Sequence, residues 1–231
     1  MKLSINYKAI IASLTLSLGL LSCAKNDDNY QPVEIAGLSL IHASPTAEKL
    51  DVYLDNTKGS GTDFAFGTKI DYLNAYAGSR KLTVTKKDIT TSLKTEQFTL
   101  EPRVGYSLFV VGQLENIAFL MLKDDLVKPE EGKAKVRFVN LSPDAEALSL
   151  AIVGATTDLA TNKAFKEFSA FETINAAEKV TFNVKNNTSG AIKTTLTDIK
   201  IENGKVYTIY AKGLKSTTDD TKFGATIFTH K

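Results

Sequence analysis

The chain has 231 residues, and its 28 basic and 26 acidic residues leave a formal net charge of +2. This near balance provides no basic excess, so we expect no nucleic-acid partner. Cys23 is the only cysteine, and His42 and His230 are the only histidines. This composition excludes a disulfide within the chain and a zinc cluster of ordinary ligand spacing, and we expect no cofactor.

The first 22 residues have the pattern of a bacterial lipoprotein signal peptide. Lys2 and Lys8 precede an uncharged apolar run at residues 9–21, which is too short to span a membrane. The run ends in Leu-Leu-Ser-Cys at residues 20–23, the pattern of a lipobox. We therefore predict cleavage before Cys23 and attachment of a lipid to Cys23, which would make the membrane a partner of the protein.

Residues 23–32 are predicted to form a polar tether after the signal peptide at residues 1–22. The Lys-Asn-Asp-Asp stretch at residues 25–28 resembles the tag that sends lipoproteins to the cell surface in some Gram-negative lineages. We therefore predict a lipid-anchored protein of the bacterial cell envelope, located in the outer membrane, with surface exposure and a periplasm-facing orientation as the two alternatives.

The rest of the chain repeats itself. Residues 42–50 align with 140–148 at an offset of 98, residues 79–84 align with 177–182 at the same offset, and the offset becomes 101 near the end of each copy. A period near 100 residues is typical of two tandem domains rather than a solenoid. We predict a first domain at residues 33–126, a linker at 127–132 and a second domain at 133–231.

Each copy has the pattern of a β-sandwich. Residues 80–86 alternate, with Leu82 and Val84 on one face and polar side chains on the other. About seven such runs fit in each copy, at roughly the spacing of 8–12 residues that sandwiches show. The predicted fold class is all-β, with two tandem immunoglobulin-like β-sandwich domains after a lipoprotein signal peptide.

Tyr106 and Tyr207 follow a turn and open the penultimate strand of each copy. This position is typical of a tyrosine corner, in which the hydroxyl satisfies a backbone group. A stacking platform for sugars is the alternative, which the absence of tryptophan from the sequence weakens.

Several segments resemble one bacterial family. His-Ala-Ser-Pro at residues 42–45, Leu-Asp-Val-Tyr-Leu-Asp at 50–55 and the stretch ending in Ala-Gly at 72–78 are similar to the domain-of-unknown-function family numbered 4397. The second copy departs from the pattern, with Asn140 and Ser149 where the first copy has histidine and aspartate. The resemblance extends over nearly the whole mature chain. It implies immunoglobulin-like sandwiches in an exported protein, and it implies no activity.

His42, Ser44 and Asp51 contain the residue types of a catalytic triad. Ser44 precedes a proline in a turn and has no glycine-rich elbow near it, and the second copy has Asn140 in place of the histidine. We therefore interpret these residues as structural turn residues and predict that the protein is not an enzyme.

Two other segments contain residue types that occur in ligand sites. Asp124 and Asp125 lack the alternating pattern of a calcium loop and are interpreted as a solvated turn. Residues 59–62, Gly-Ser-Gly-Thr, lack the ending of a phosphate-binding loop and are interpreted as a loose connection.

One strand pair of the first copy is apolar on both faces. Tyr106, Leu108 and Val110 alternate with Phe109 and Val111, and the next strand is apolar throughout. Because a sandwich strand normally buries one face and exposes the other, this pattern predicts an additional contact face. Its predicted residues are Phe109, Val111, Phe119 and Met121. We expect the second domain to cover this face; a helix or loop of the first domain, and a ligand or partner protein, are the alternatives.

Three classes of function fit these observations. The favoured one is a non-enzymatic, lipid-anchored envelope protein that presents two sandwiches for interaction or structural roles. The alternatives are a surface lipoprotein that binds a glycan or small ligand, and a pilus-like or adhesin subunit. The sequence leaves the protein or glycan partner unidentified. The second copy has its own last strand at residues 226–228, which counts against assembly by donated strands.

Overall fold

The computed structural model describes residues 33–230, and the regular structure in this range consists of strands and one 3₁₀-helix, Leu114–Asn116. The strands in this range are β1 Ile35–His42, β2 Leu50–Leu54, β3 Thr57–Lys58, β4 Lys69–Tyr76, β5 Gly78–Lys86, β6 Ser92–Leu100, β7 Gly105–Val111, β8 Ala118–Asp124, β9 Lys133–Asn140, β10 Leu148–Ile152, β11 Ala160–Lys163, β12 Glu172–Asn175, β13 Ala177–Asn186, β14 Ile192–Ile201, β15 Val206–Lys212 and β16 Gly224–His230. Within these residues, no helix has the length and apolarity needed to cross a membrane.

The strands form four sheets of four strands each. Sheets β4-β1-β7-β8 and β3-β2-β5-β6 make the first sandwich, and sheets β12-β9-β15-β16 and β11-β10-β13-β14 make the second. Neighbouring strands pair antiparallel, except that β1 pairs parallel with β7 and β9 pairs parallel with β15. The predicted fold class, two tandem β-sandwiches, is confirmed.

The two predicted tyrosine corners are also confirmed. The Tyr106 hydroxyl accepts a hydrogen bond from the N–H of Glu101 at 3.0 Å, and the Tyr207 hydroxyl accepts one from the N–H of Glu202 at 2.9 Å. Both tyrosines are buried, so each hydroxyl satisfies a backbone donor that would otherwise lack water.

The two copies are equivalent in structure, but the offset of 98 does not hold in β5, where the sequence alignment relied on it. Leu54 pairs with Leu82, and its equivalent Ile152 pairs with Phe182. Leu82 therefore corresponds to Phe182, at an offset of 100, and the alignment of residues 79–84 with 177–182 is wrong by two residues at this point. The pairing of β13 with β14 contains register shifts, and such bulges let a strand take up extra residues while its inward side chains keep their direction.

Three apolar layers separate the four sheets. One layer is the core of the first sandwich and includes Leu40, Leu82 and Leu108. Another is the core of the second sandwich and includes Phe138, Phe182 and Ile209. The middle layer lies between sheets β4-β1-β7-β8 and β12-β9-β15-β16 and contains side chains of both sandwiches. The two sandwiches therefore belong to one compact unit.

Candidate functional site

The second apolar face of β7 is covered by the second sandwich. Phe109 and Val111 are fully buried. The ring centre of Phe109 lies 5.9 Å from that of Tyr210 and 6.4 Å from that of Phe228, which are distances of packed aromatic pairs. Phe109 and Val111 therefore contribute to the contact between the two sandwiches.

The prediction that Phe119 and Met121 of β8 lie in this contact is wrong, and other residues of β8 lie there. Val110 of β7 lies opposite Phe119, and Leu108 lies opposite Met121. Residues that lie opposite each other in an antiparallel pair share a face, so Phe119 and Met121 point into the core of the first sandwich. The prediction grouped odd-numbered residues of both strands, whereas odd-numbered residues of β7 pair with even-numbered residues of β8. The residues of β8 on the contact face are instead Ala118, Leu120 and Leu122.

A ring of buried polar side chains lies in the same contact. Arg137 donates a hydrogen bond to Asp124 at 2.8 Å and another to the Thr208 hydroxyl at 3.1 Å. The Tyr72 hydroxyl donates to Asp124 at 2.6 Å and lies 2.7 Å from Nδ1 of His230, whose Nε2 lies 2.8 Å from the Thr208 hydroxyl. A neutral His230 that carries its proton on Nδ1 gives each of these contacts one donor and one acceptor.

Asp124 corrects one interpretation of the sequence. The Asp124-Asp125 pair was interpreted as a solvated turn, but the Asp124 side chain is fully buried against Arg137. The cause lies outside the local sequence, because Arg137 comes from the second sandwich. Asp124 and His230 hold equivalent positions, since each ends the strand that pairs with β7 or β15. The two copies thus place unlike side chains at matching points of one contact.

We expect acid to destabilise the protein through its buried histidines. Burial lowers the pKa of His42 and of His230 to about 4, from 6.5. The unfolded chain, with histidine pKa values of about 6.5, therefore takes up protons before the folded chain does. This contribution to stability is complete above about pH 6.5 and falls toward pH 4, by up to about 1.4 kcal/mol per pH unit for each histidine. Urea unfolding at a series of pH values measures it.

The variant His42→Asn is a matched control, because Asn140 holds the equivalent position in the second sandwich. There the Asn140 amide donates to the Lys163 carbonyl at 2.9 Å. We expect His42→Asn to lose about half of the pH dependence between about pH 6.5 and pH 5, since one of two titrating groups is removed. An unchanged dependence would contradict the assignment.

The predicted structural role of the Ser-Pro turns is confirmed. The Ser44 hydroxyl donates to the Gly112 carbonyl at 2.6 Å, and the equivalent Ser142 hydroxyl donates to the Gly213 carbonyl at 2.7 Å. The same bond occurs in the copy without a histidine. It ties each turn to the end of the strand β7 or β15.

A cleft of about 490 Å³ opens between the two sheets of the first sandwich, beside the edge strands β3 and β4. Its volume lies within the range of roughly 300–1,000 Å³ found for small-molecule sites. The floor is aliphatic and is contributed by β1, β2, β4 and β5, with side chains that include Leu38, Leu40, Val52, Leu73 and Leu82. The mouth is polar and comprises Asp55, Thr57, Lys58, Asn74, Tyr76 and Arg80.

The cleft is open because the first copy has small residues where the second has large ones. The N–H of Gly59 donates to the Val52 carbonyl at 2.8 Å, and the N–H of Leu159 donates to the equivalent Leu150 carbonyl at 2.7 Å. Leu159 packs against the core of the second sandwich, whereas Gly59 lines the cleft. Three further equivalent pairs show smaller side chains in the first copy: Leu40 for Phe138, Ala75 for Ile174 and Leu82 for Phe182.

Arg80 is a well-positioned cation at the mouth of the cleft. Its Nε donates to the Tyr76 carbonyl at 2.9 Å, and a terminal nitrogen donates to the Ala77 carbonyl at 2.6 Å. Its contact with Asp55 is longer, at 3.4 Å. Asp55 is held more closely by the N–H of Lys81, at 3.0 Å. The guanidinium is therefore fixed by backbone carbonyls and is only weakly engaged by a carboxylate.

Residues 59–62, which are predicted from the sequence to form a loose connection, include Gly59 of this cleft, and no local sequence signal indicates it. The predicted lipid attachment at Cys23, the signal peptide and the tether lie outside the described residues and stay predictions. Within residues 33–230, no three His, Cys, Asp or Glu side chains lie close enough together to hold a metal ion.

A model of the family described as "Domain of unknown function (DUF4397)" matches residues 36–151. The match runs from β1 into β10, so it includes the first sandwich and the opening strands of the second. That the second copy is a further member of this family stays a prediction. No curated protein matches the chain.

Several solved structures are similar to the chain. A family 26 carbohydrate-binding module of Eubacterium rectale Amy13K is 8% identical, with 83% of this chain and 96% of that chain covered and a TM-score of 0.27. Family 41 modules from streptococcal virulence factors are 12% identical, with 82% and 96% covered and a TM-score of 0.24. A candidate cell adhesion protein of Bacteroides eggerthii is 9% identical, with 88% and 98% covered and a TM-score of 0.27. Likenesses of this degree carry no inference about ligands.

Proposed function

We propose that this chain, which belongs to the family described as "Domain of unknown function (DUF4397)", is a non-enzymatic, lipid-anchored binding protein of the bacterial cell envelope. Its first sandwich binds a small ligand in the cleft beside β3 and β4. The observation that carries this proposal is the cleft itself, whose aliphatic floor and polar mouth have the composition of small-molecule sites. The second sandwich holds the first through the buried contact and leaves the edge with the cleft uncovered.

The variant Gly59→Leu tests the cleft as the binding site. A Cβ at Gly59 would lie 3.4 Å from Leu40 and 3.5 Å from Leu73, in ordinary van der Waals contact, so a leucine fills the cleft as Leu159 fills its equivalent. The probe is the amphipathic dye anilinonaphthalene sulfonate, whose fluorescence rises in apolar sites. We expect wild type to bind the dye and Gly59→Leu to bind it at least about tenfold more weakly, with no loss of stability.

Gly61→Leu is the matched control, because it adds the same side chain at an exposed glycine with no heavy atom within 4 Å of the new Cβ. This variant should bind the dye as wild type does. Equal binding by wild type and Gly59→Leu would show that the dye occupies another site and would contradict the proposal.

The envelope location rests on the lipobox that ends at Cys23. We expect Cys23→Ala to move the protein from the membrane fraction to the soluble fraction, because the acyl chains provide the membrane affinity. Immunoblots of fractionated cells measure the change. A variant that stays with the membranes would place the anchor elsewhere.

Protease treatment of intact cells distinguishes surface exposure, in which the protein is cleaved, from a periplasmic location, in which it is protected.

A glycan is the second candidate ligand. Tyr76 is 64% exposed at the mouth of the cleft, and an exposed aromatic ring can stack on a sugar.

The third class, a pilus-like subunit assembled by donated strands, gains no support from the second sandwich. There β16 pairs with β15 along its whole length, so this position in the sheet is already occupied.

A further inference from the structure

We infer that the ligand of the cleft is a fatty acid, with its acyl chain on the aliphatic floor and its carboxylate bound by Arg80. This inference rests on the proposed function and specifies the class of ligand. Three features of the first sandwich support it: the chemistry of the floor, the charges at the mouth, and the differences between the two copies at this edge.

The floor favours an acyl chain over a sugar. It is contributed by inward-facing side chains, among them Leu38, Leu40, Val52 and Leu82, and none of these offers a hydrogen bond. The hydroxyl groups of a sugar placed there would lose their bonds to water without replacement, which is unfavourable. A methylene chain would lose no hydrogen bond and would bury apolar surface.

The mouth favours a carboxylate as the head group. Two cations, Arg80 and Lys58, line it beside one carboxylate, Asp55. The guanidinium is planar and binds carboxylates through paired N–H donors. Its contact with Asp55 is long, at 3.4 Å, so a ligand carboxylate that approaches more closely would bind it more strongly than Asp55 does. Lys58 contacts the buried Asp51 at 2.6 Å, which holds this second cation at the edge.

The differences between the two copies coincide at this one edge. Arg80 pairs with Phe98, and Val180 pairs with Ile199 at the same point of the second sandwich, so valine stands where the first copy has arginine. The second copy also has Val153 in place of Asp55, since the N–H of Asp55 donates to the Lys81 carbonyl and the N–H of Val153 donates to the equivalent Thr181 carbonyl. The first copy therefore has charged side chains at its mouth where it also has the open space.

The experiment is a calorimetric titration of the full Cys23→Ala chain with decanoate, decanol and decylamine, which share an alkyl chain and differ in head group. We expect decanoate to bind at least about tenfold more tightly than the other two, as a charge-assisted pair requires. Octanoate should bind about tenfold more weakly than decanoate, because it buries two fewer methylenes.

Variants locate the head group and the chain. Arg80→Met should lower decanoate affinity to that of decanol, and Arg80→Lys should keep part of the preference. Lys81→Met removes a cation from the exposed, opposite face of β5 and should leave binding unchanged. Gly59→Leu should abolish binding of all three compounds.

The outcomes separate this inference from the proposed function. Decanol or decylamine binding as tightly as decanoate would overturn the fatty-acid inference and leave the cleft as a ligand site. Failure of all three compounds while the dye still binds in a Gly59-dependent manner would also overturn only the inference. If neither the compounds nor the dye bind, both the inference and the proposed function fail.

Discussion

Replacing Asp124 by alanine should lower the free energy of unfolding by about 3–5 kcal/mol, the range found when one partner of a buried ion pair is removed. The Asp124 side chain is fully buried and that of Arg137 is 2% exposed. Asp124 also accepts hydrogen bonds from Tyr72 and Ser107. Removing the carboxylate leaves the guanidinium buried without a counter-charge. Urea unfolding at neutral pH measures the loss.

Two further variants show whether the unpaired charge of Arg137 causes the loss of unfolding free energy. Adding Arg137→Met to Asp124→Ala should recover part of the loss, because the buried charge is then absent. Lys135→Met breaks the ion pair with Asp125, which is 44% exposed, and should cost no more than about 1 kcal/mol. A similar effect from Lys135→Met and Asp124→Ala would contradict the assignment.

Replacing Phe109 by alanine should cost about 3–5 kcal/mol of unfolding free energy, as for other fully buried phenylalanines. The ring packs against Tyr210 and Phe228 of the second sandwich, so its removal opens a cavity between the sandwiches. We also expect proteolysis to become faster in the linker predicted at residues 127–132, because the contact that holds the sandwiches together is weaker.

Phe168→Ala is the matched control for this substitution. Phe168 is 46% exposed, and truncating a side chain that is already half in water should cost about 1 kcal/mol or less. Equal losses for Phe109→Ala and Phe168→Ala would mean that the contact between the sandwiches contributes little to stability. The predicted domain limits would then describe independent units.

The cleft shows why sequence reasoning stopped short of the candidate site. The informative comparisons are of Gly59 with Leu159 and of Arg80 with Val180. Both pairs lie where the offset between the copies is 100. An alignment at the constant offset of 98 therefore compares the small and charged residues of the first copy with residues that are not their structural equivalents. The extra residues of the second copy lie between Val153 and Leu159 and at the register shifts between β13 and β14, so their positions were visible only in the pairing of the strands.

The fold class and the tyrosine corners could be predicted from the residues alone, because alternation and turn residues act over a few neighbouring positions, and the tandem repeat could be predicted from matching segments. Phe109 and Val111 were also recognisable as unusual, since they make β7 apolar on both faces, whereas a sandwich strand normally exposes a polar face to water. The contacts between strands were needed to show that Phe119 and Met121 face the core of the first sandwich, that Asp124 is buried by Arg137, and that Gly59 leaves a cleft. Each of these depends on register or on contact between residues far apart in the chain, where a shift of one residue reverses the direction of a side chain.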